Sequence, residues 1–451
     1  MPNPKNFHII LEKFRELDYT GYSEQYPPFA SWNKFNSSPK AVKEAWKESL
    51  EGVGEVGLFI NVPFCRSKCF FCFLPVVCVG RNEENAREFF KIYFKSLKKE
   101  ASFFAAAFKK NSFSTVYIGG GSPSMMSPEE VHVFFKILRE NFNIEKKAQI
   151  IAELHPQDVN RERIEAFLAN GLNRSCLGVQ SMDERVLTEV KRKQNIHQVK
   201  RAYSILKKHG VPVNVDLIVG LPRQSEKSFF SDFSEILPLM PDQIHLNAFI
   251  CTPYTLYSML GGKPPDYAKI EKLRLKAFQK LFEIGYKKID SDSAGITPHS
   301  RNFQTTDLWK KKSLLGMGPG AISHAYGKMR YINYMVWKDY FSRLKKGNIP
   351  IERWVKMSLR DEMIYYVVER LSNEKNINLE EFRKFFGRDF LKTFFAEWHT
   401  LKNSGATLKN GRIYVPPKAW SDIRRAFYSY RTIIRGLKNA KLKSSFLKKF
   451  K

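Results

Sequence analysis

Six short runs rich in β-branched and apolar residues punctuate the first 250 positions: "VGLFINV" (56–62), "TVYIGG" (115–120), "QIIAEL" (149–154), "NRSCLGV" (173–179), "VNVDLIVG" (213–220) and "QIHLNAFI" (243–250). Amphipathic stretches with helical periodicity separate them, at 85–109, 128–140, 160–169, 195–208 and 225–236. Strands divided by helices pair in parallel through right-handed crossovers, because a tight hairpin cannot join them. Such a sheet curls into a full or partial barrel, and its working residues lie at the C-terminal ends of the strands. The expected fold class is therefore α/β, a partial parallel (β/α)6 barrel over residues 56–330.

Composition sets the remaining bounds. With 451 residues and 43% hydrophobic content, the chain can build one large domain and one or two smaller ones. The N-terminus lacks a signal-peptide pattern, and no segment approaches the ~18 apolar residues of a membrane span, so a cytoplasmic location is expected. Six cysteines are too few for a disulfide framework, and in a reducing compartment a close cysteine cluster points to metal. The formal charge of +30 points to an anionic partner, although a uniformly basic proteome gives the same figure.

Much of the excess lies over 418–451, where eleven Lys or Arg face a single acid, Asp422. Ile423, Phe427, Tyr430, Ile434 and Leu437 recur there at helical spacing, the pattern of a basic amphipathic tail. Two readings stand: a helix packing its apolar stripe on the domain, or contact with a membrane or another anion. Nucleic acid is not expected, because no zinc finger, basic zipper or RNA-binding signature accompanies the charge.

The strand ends carry the chemistry. The first leads into "NVPFCRSKCFFCF" (61–73), with Cys65, Cys69 and Cys72 within eight positions. The second ends in "GGGSPS" (119–124) and the third at Glu153. The fourth leads to Gln180, with Arg192 farther on, and Asp216 lies in the fifth. A structural zinc site takes four protein ligands, and Cys78 is available as the fourth; inert buried thiols are a further reading. The spacing C-x3-C-x2-C at a first strand end fits better with a [4Fe-4S] cluster held by three thiolates, its fourth iron left open. The run "GMGPGA" (316–321) lacks the spacing of a dinucleotide fingerprint.

Together "NVPFCRSKCFFC", "YIGGGSPS", "AELHP", "GLNRSCLGVQSMDERVL" and "VDLIVGLPRQ" resemble the radical S-adenosylmethionine (SAM) enzymes, in particular the group named for oxygen-independent coproporphyrinogen III oxidase. The resemblance implies that Cys65, Cys69 and Cys72 hold the cluster, and that SAM chelates the free iron. Reduction then yields a 5′-deoxyadenosyl radical. It also implies that Phe71 borders the adenine, that Gly119, Gly120, Gly121 and Ser122 meet the methionine part, and that Glu153 and Arg192 meet the ammonium and carboxylate. Gln180 and Asp216 take the ribose. A one-electron donor such as flavodoxin or ferredoxin is implied as partner. Residues 1–55 resemble the oxidase's N-terminal extension, and 331–417 a small winged-helix-like lid with a hairpin at Asn410-Gly411.

Three positions depart from the oxidase pattern Y-x-H-I-P-F-C-x3-C-x2-C-x-C: Phe59, Asn61 and Leu74 stand where it has tyrosine, histidine and a further cysteine. They put decarboxylation of coproporphyrinogen in doubt. Other members of the group transfer methyl groups using two SAM molecules, including menaquinone methyltransferases. Methylation of a quinone or other apolar aromatic is therefore the expected reaction, with the basic tail bringing the enzyme peripherally to the inner face of the membrane. The alternatives are modification of a tetrapyrrole, as in coproporphyrinogen III oxidase, and heme carriage.

Overall fold

The protein is described by a computed structural model over residues 26–51, 56–80, 82–252, 255–297, 300–303, 313–374, 376–416 and 426–427. The six expected strands are present as β1 (Val56–Val62), β2 (Ser112–Gly120), β3 (Asn143–Leu154), β4 (Arg174–Gln180), β5 (Val213–Val219) and β6 (Gln243–Ala248). They pair in parallel, in chain order. Beside β6 runs the antiparallel β7 (Ser293–Gly295). On the other side of β1 lies β8 (Ser313–Met317), a seventh parallel strand that the strand pattern had not supplied. The run "GMGPGA" is the end of β8 and its turn into β9 (Ile322–Ala325).

Between the parallel strands run α1 (Glu83–Ala105), α2 (Pro128–Asn141), α3 (Arg161–Ala169), α4 (Ile196–Lys208) and α5 (Glu226–Ile236). Each begins at a polar cap: Asn82, Ser127, Asn160, Asn195 and Ser225 accept a backbone N–H from the first turn. Such caps satisfy donors that the helix itself cannot, and each contributes about 1 kcal/mol. Alternation along the strands then sorts the side chains. Leu58, Ile60, Val116, Ile118, Leu177, Val215, Leu217 and Leu246 are buried in one core with Phe90 and Leu97 of α1 and Phe134 and Leu138 of α2. Each such side chain contributes roughly 1.5–3 kcal/mol. Residues of the opposite parity, among them Tyr117, Glu153, Cys176, Asn214, Asp216, Gln243 and His245, occupy the other face, away from this core.

The sheet does not stop at residue 330. It continues through β10 (Met329–Asn333) to β11 (Ile351–Lys356), both antiparallel. The stretch 331–356, assigned from sequence to the lid, therefore joins the sheet. Its β-branched content is low, and it pairs through a meander instead of a crossover, so it carries no strand–helix alternation. A two-residue strand, Asn33–Lys34, pairs with β11 at the edge. Trp46, from the helix Pro39–Leu50, donates its indole N–H to Tyr331 Oη at 3.0 Å, fixing the described part of the N-terminal extension to the sheet.

A second core gathers Tyr26 and residues from 357 onward. Its elements are α6 (Leu359–Glu374), β12 (Asn376–Asn378), α7 (Leu379–Phe386), α8 (Phe390–Thr393), α9 (Phe395–Asn403), β13 (Thr407–Lys409) and β14 (Arg412–Tyr414). The hairpin turn at Asn410 and Gly411 has positive φ at both positions, as Asn-Gly hairpins require. Phe427, from the basic segment, is buried in this core, with its ring edge-on to Phe394 at 5.2 Å. The tail's apolar stripe thus serves core packing at Phe427, which is not available for the membrane contact expected of it. Ile423, Tyr430, Ile434 and Leu437 lie outside the described residues.

Phe382 is fully buried among the rings of Tyr366, Phe386, Phe390 and Phe394. Phe382→Ala should cost about 3–5 kcal/mol through lost burial and the cavity left behind. Urea unfolding should show a lower midpoint, and limited proteolysis faster cleavage within 357–416. A variant as resistant as the parent would mean that this core does not stabilise the unit.

Candidate functional site

Immediately after β1 the chain makes the bridge Phe64–Cys65, parallel to Val77–Cys78. The backbone N–H of Val79 donates to Cys65 O at 3.0 Å, and that of Cys72 to Cys69 O at 3.1 Å, closing the loop that presents the three thiols. Cys69 is buried, and Cys65 and Cys72 are half-buried. Burial, then the neighbouring Cys72 and Cys69, pushes the Cys65 thiol well above its ordinary value. Burial pushes Cys72 up to about 11. Three thiolates so crowded are unfavourable without a cation among them. Among the described residues, no three His, Cys, Asp or Glu side chains meet at the spacing of a single metal ion. Three thiols presented by one loop, with no fourth protein ligand assigned, form a donor set that fits a [4Fe-4S] cluster with one open iron. Cys78 is exposed and neighbours Cys65 across the bridge, Cys176 is buried in β4, and Cys251 packs against the apolar group of Val186, Val190, Leu221 and Phe249.

The glycine run is stitched to this loop. Gly121 N donates to Val62 O and Ser122 N to Phe64 O, both at 2.7 Å. A Cβ on Gly121 would fall on the Phe64 carbonyl, and one on Gly120, whose φ is +101°, on the Asn61 side chain. The first requirement for glycine here is thus close contact between two backbone segments. Asn61 itself donates from Nδ2 to Pro319 O, so the turn after β8 leans on the same strand end.

Glu153, at the end of β3, accepts from Tyr117 Oη at 2.6 Å and from Gly120 N at 3.1 Å. Burial pushes its carboxyl up to about 7 against those two hydrogen bonds, and nearby Asp216 adds to the rise. Arg192 donates to Gln194 Oε1 at 2.9 Å and to Gly178 O, and stands 3.9 Å from Cys69 Sγ. Gln180 sits at a register shift between β4 and β5 with φ +67°. Its Oε1 is buried and has no hydrogen-bond partner among the described residues, a group in want of a donor. Asp216 accepts from Asn214 Nδ2 at 2.8 Å and lies 3.1 Å from His245 Nδ1. Phe71 is half-buried in an apolar group with Val190, Leu221, Phe249 and Tyr257.

The glycines, Glu153, Asp216, Arg192 and Cys69 thus form one continuous neighbourhood at the strand ends. Ser122 differs: it is buried, and its hydroxyl is engaged with Ser124 Oγ at 3.1 Å and Asp158 Oδ2 at 3.3 Å, a pairing that draws it away from an open site. Sequence reasoning missed Tyr117, His245 and Asn61 as members of the neighbourhood. The signal available was parity, since Tyr117 precedes Gly119 by two and His245 stands two from a polar Gln243.

The chain resembles known proteins over most of its length. A family model described as the radical SAM superfamily matches residues 60–234. Oxygen-independent coproporphyrinogen III oxidase from Helicobacter pylori (strain ATCC 700392 / 26695) is 26% identical over 418 residues, spanning 87% of this chain and 89% of its own. The enzyme of that name from Escherichia coli (strain K12) is 25% identical over 379 residues, covering 80% and 81%. The solved structure of coproporphyrinogen III oxidase from Escherichia coli shares the fold, with a TM-score of 0.77 over 92% of this chain and 96% of that one, at 23% identity.

Residues 60–234 thus carry a radical SAM domain, and the likeness supports a radical SAM enzyme. Along most of its length the chain is similar to the oxygen-independent coproporphyrinogen III oxidases, with which it shares a fold. A radical SAM domain implies a [4Fe-4S] cluster and SAM. The relatives named here are oxidases, so the expectation of methyl transfer to a quinone finds no support in them, and the tetrapyrrole alternative does.

Two outcomes are expected of this site. Anaerobically prepared protein should carry about four irons, and Cys65→Ala, Cys69→Ala and Cys72→Ala should each lose them, whereas Cys78→Ala should not. Iron retained in Cys69→Ala would rule out the three-thiolate assignment. If Glu153 meets a ligand ammonium, its ionised form is required, so affinity for S-adenosylhomocysteine should rise with pH through about 7. Glu153→Gln should lower the affinity and remove that part of the pH dependence, measured by equilibrium dialysis against the parent.

Proposed function

We propose that this chain oxidatively decarboxylates propionate side chains of a tetrapyrrole, in the manner of the coproporphyrinogen III oxidases. The observation supporting the reading is the length of the likeness. Relatives of that name align with 87% of the chain, well beyond residues 60–234. A likeness confined to the cofactor-binding strands would leave the substrate open, but this one includes the segments that flank them. The charge of +30 also suits a polyanionic porphyrinogen.

In this reading Cys65, Cys69 and Cys72 hold the cluster. Glu153, oriented by Tyr117, and Arg192 orient the amino-acid end of SAM. Gln180 and Asp216 receive the ribose, and Phe71 with Leu221 and Phe249 keeps water from the adenine. When bound, the cluster and SAM supply one-electron cleavage of a carbon–sulfur bond and a carbon radical that takes one hydrogen atom. A propionate that loses that hydrogen atom and one electron, with its carboxyl leaving as carbon dioxide, becomes a vinyl group. The electron it gives up matches the one that began the cycle. The chain must therefore bring the propionate β-carbon to the mouth and hold the site dry.

A second reading is methyl transfer with two SAM molecules onto a quinone or a tetrapyrrole. It is favoured by Asn61 and Leu74, which stand where the oxidase pattern has histidine and cysteine. A peripheral membrane location, and a flavodoxin or ferredoxin as electron donor, belong to the same level of inference. No helix among the described residues is long and apolar enough to cross a membrane.

Anaerobic incubation with coproporphyrinogen III, SAM and dithionite should release carbon dioxide and one 5′-deoxyadenosine per carboxyl lost, with no S-adenosylhomocysteine. Accumulation of S-adenosylhomocysteine, with label from the SAM methyl group in the product, would establish the second reading instead. Stoichiometric heme binding with no SAM cleavage would favour a carrier and overturn both.

A further inference from the structure

On the face of the sheet opposite the helices, a line of polar side chains runs across three strands, and no role assigned so far uses most of it. Asp216 of β5 is the register partner of His245 in β6, which in turn pairs with Ser293 in β7. His245 Nδ1 lies 3.1 Å from Asp216 Oδ1, and its Nε2 lies 3.0 Å from Gln243 Nε2. The same amide nitrogen donates to Ser293 Oγ at 2.9 Å. Arg174, buried, donates to Gln243 Oε1 and, at 2.6 Å, to Ser300 O.

These contacts read in one direction. A guanidinium has only donors, so the atom of Gln243 facing Arg174 must be its oxygen. The Gln243 nitrogen is thereby turned to His245, and it has no lone pair to offer. His245 Nε2 must then accept, which leaves the ring proton on Nδ1, aimed at Asp216. Burial works against a second proton on this ring, while Asp216, Asp290 and Asp292 favour one and outweigh it. That proton would nevertheless point at the amide nitrogen unless Gln243 turned away from Arg174. Asn214 Nδ2 also donates to Asp216 Oδ1, at 2.8 Å. Both protein donors thus fall on Oδ1, and Oδ2 receives none among the described residues.

We infer that His245, oriented by Gln243 and Arg174, is a positioning residue that fixes the Asp216 carboxylate so that its second oxygen accepts a ribose hydroxyl. The inference rests on the cofactor site proposed above. A hydroxyl must donate to a carboxylate oxygen of fixed direction to be told apart from hydrogen. Without the Nδ1–H, Asn214 is the remaining donor to the carboxylate among the described residues; the carboxylate is then less firmly directed, and the ribose hydroxyl meets a less well placed oxygen.

The test is binding of S-adenosylhomocysteine and of its 2′,3′-dideoxy analogue to cluster-loaded protein, by anaerobic equilibrium dialysis and without reductant. The parent should prefer the ribose form by about tenfold or more. His245→Leu should lose most of that preference, weakening the ribose ligand about tenfold and the dideoxy ligand less than about twofold. His245→Gln, whose amide can still donate toward Asp216, should restore part of the preference. Equal weakening of both ligands in His245→Leu, or an unchanged preference, would overturn the inference. Should His245→Leu not fold, His245→Phe, which cannot donate either, decides: loss of the preference with dideoxy binding changed less than about twofold supports the role, and equal loss of both overturns it. Failure of the parent to bind S-adenosylhomocysteine at all would instead remove the cofactor site, and the role of His245 with it.

Discussion

A parallel strand covered by helices on one side has one free side on which to place polar groups. That constraint governs this molecule. In "VNVDLIV" the valines and Leu217 turn to the helices, while Asn214 and Asp216 turn to the other face. The same division in β2, β3, β4 and β6 gathers Tyr117, Glu153, Cys176, Gln243 and His245 there. Burying these groups is unfavourable unless each finds a partner, so the inner face becomes a hydrogen-bonded network in which few orientations are permitted. A site assembled this way is rigid before any ligand arrives.

The second determinant is backbone contact at the end of β1. Gly120 and Gly121 lie against Asn61 and Phe64 so tightly that a side chain on either would collide. On the far side, Gly318 N donates to the buried Glu100 at 2.9 Å, and Asn333 and Tyr340 donate to the same carboxylate at 2.6 Å each. The cysteine loop is thereby held between two glycine turns, one of which is anchored by a carboxyl that burial pushes up to about 7. Asn61 stands at the centre of this contact. Its exchange for the histidine of the oxidase pattern is thus a packing change as well as a chemical one.

Much of this was legible in the sequence because it is local. The six strands follow from apolar runs, the helices from their amphipathic spacing, and the hairpin from Asn410-Gly411. The cysteine spacing and the strand-end polar residues pointed to the same mouth. What escaped was non-local. β8 joins β1 from more than two hundred residues away, and β10 and β11 extend the sheet by antiparallel pairing that leaves no crossover helix to announce it. Tyr117 and His245 are ordinary strand residues until register sets them beside Glu153 and Asp216. Ser122 shows the reverse: the resemblance implied a contact with the methionine part of SAM, and here its hydroxyl meets Ser124 and Asp158.

The two-residue strand Asn33–Lys34 covers the outer edge of β11, where backbone N–H and C=O groups would otherwise face solvent in an extended row. Phe29 and Trp32, just before it, are buried against Ile332 and hold it in place. The opening segment therefore acts as a stopper on a long sheet. A chain shortened past Lys34 would keep its strand-end residues and yet offer a bare edge to its own copies, so colloidal behaviour, and not chemistry, would be the first property to change.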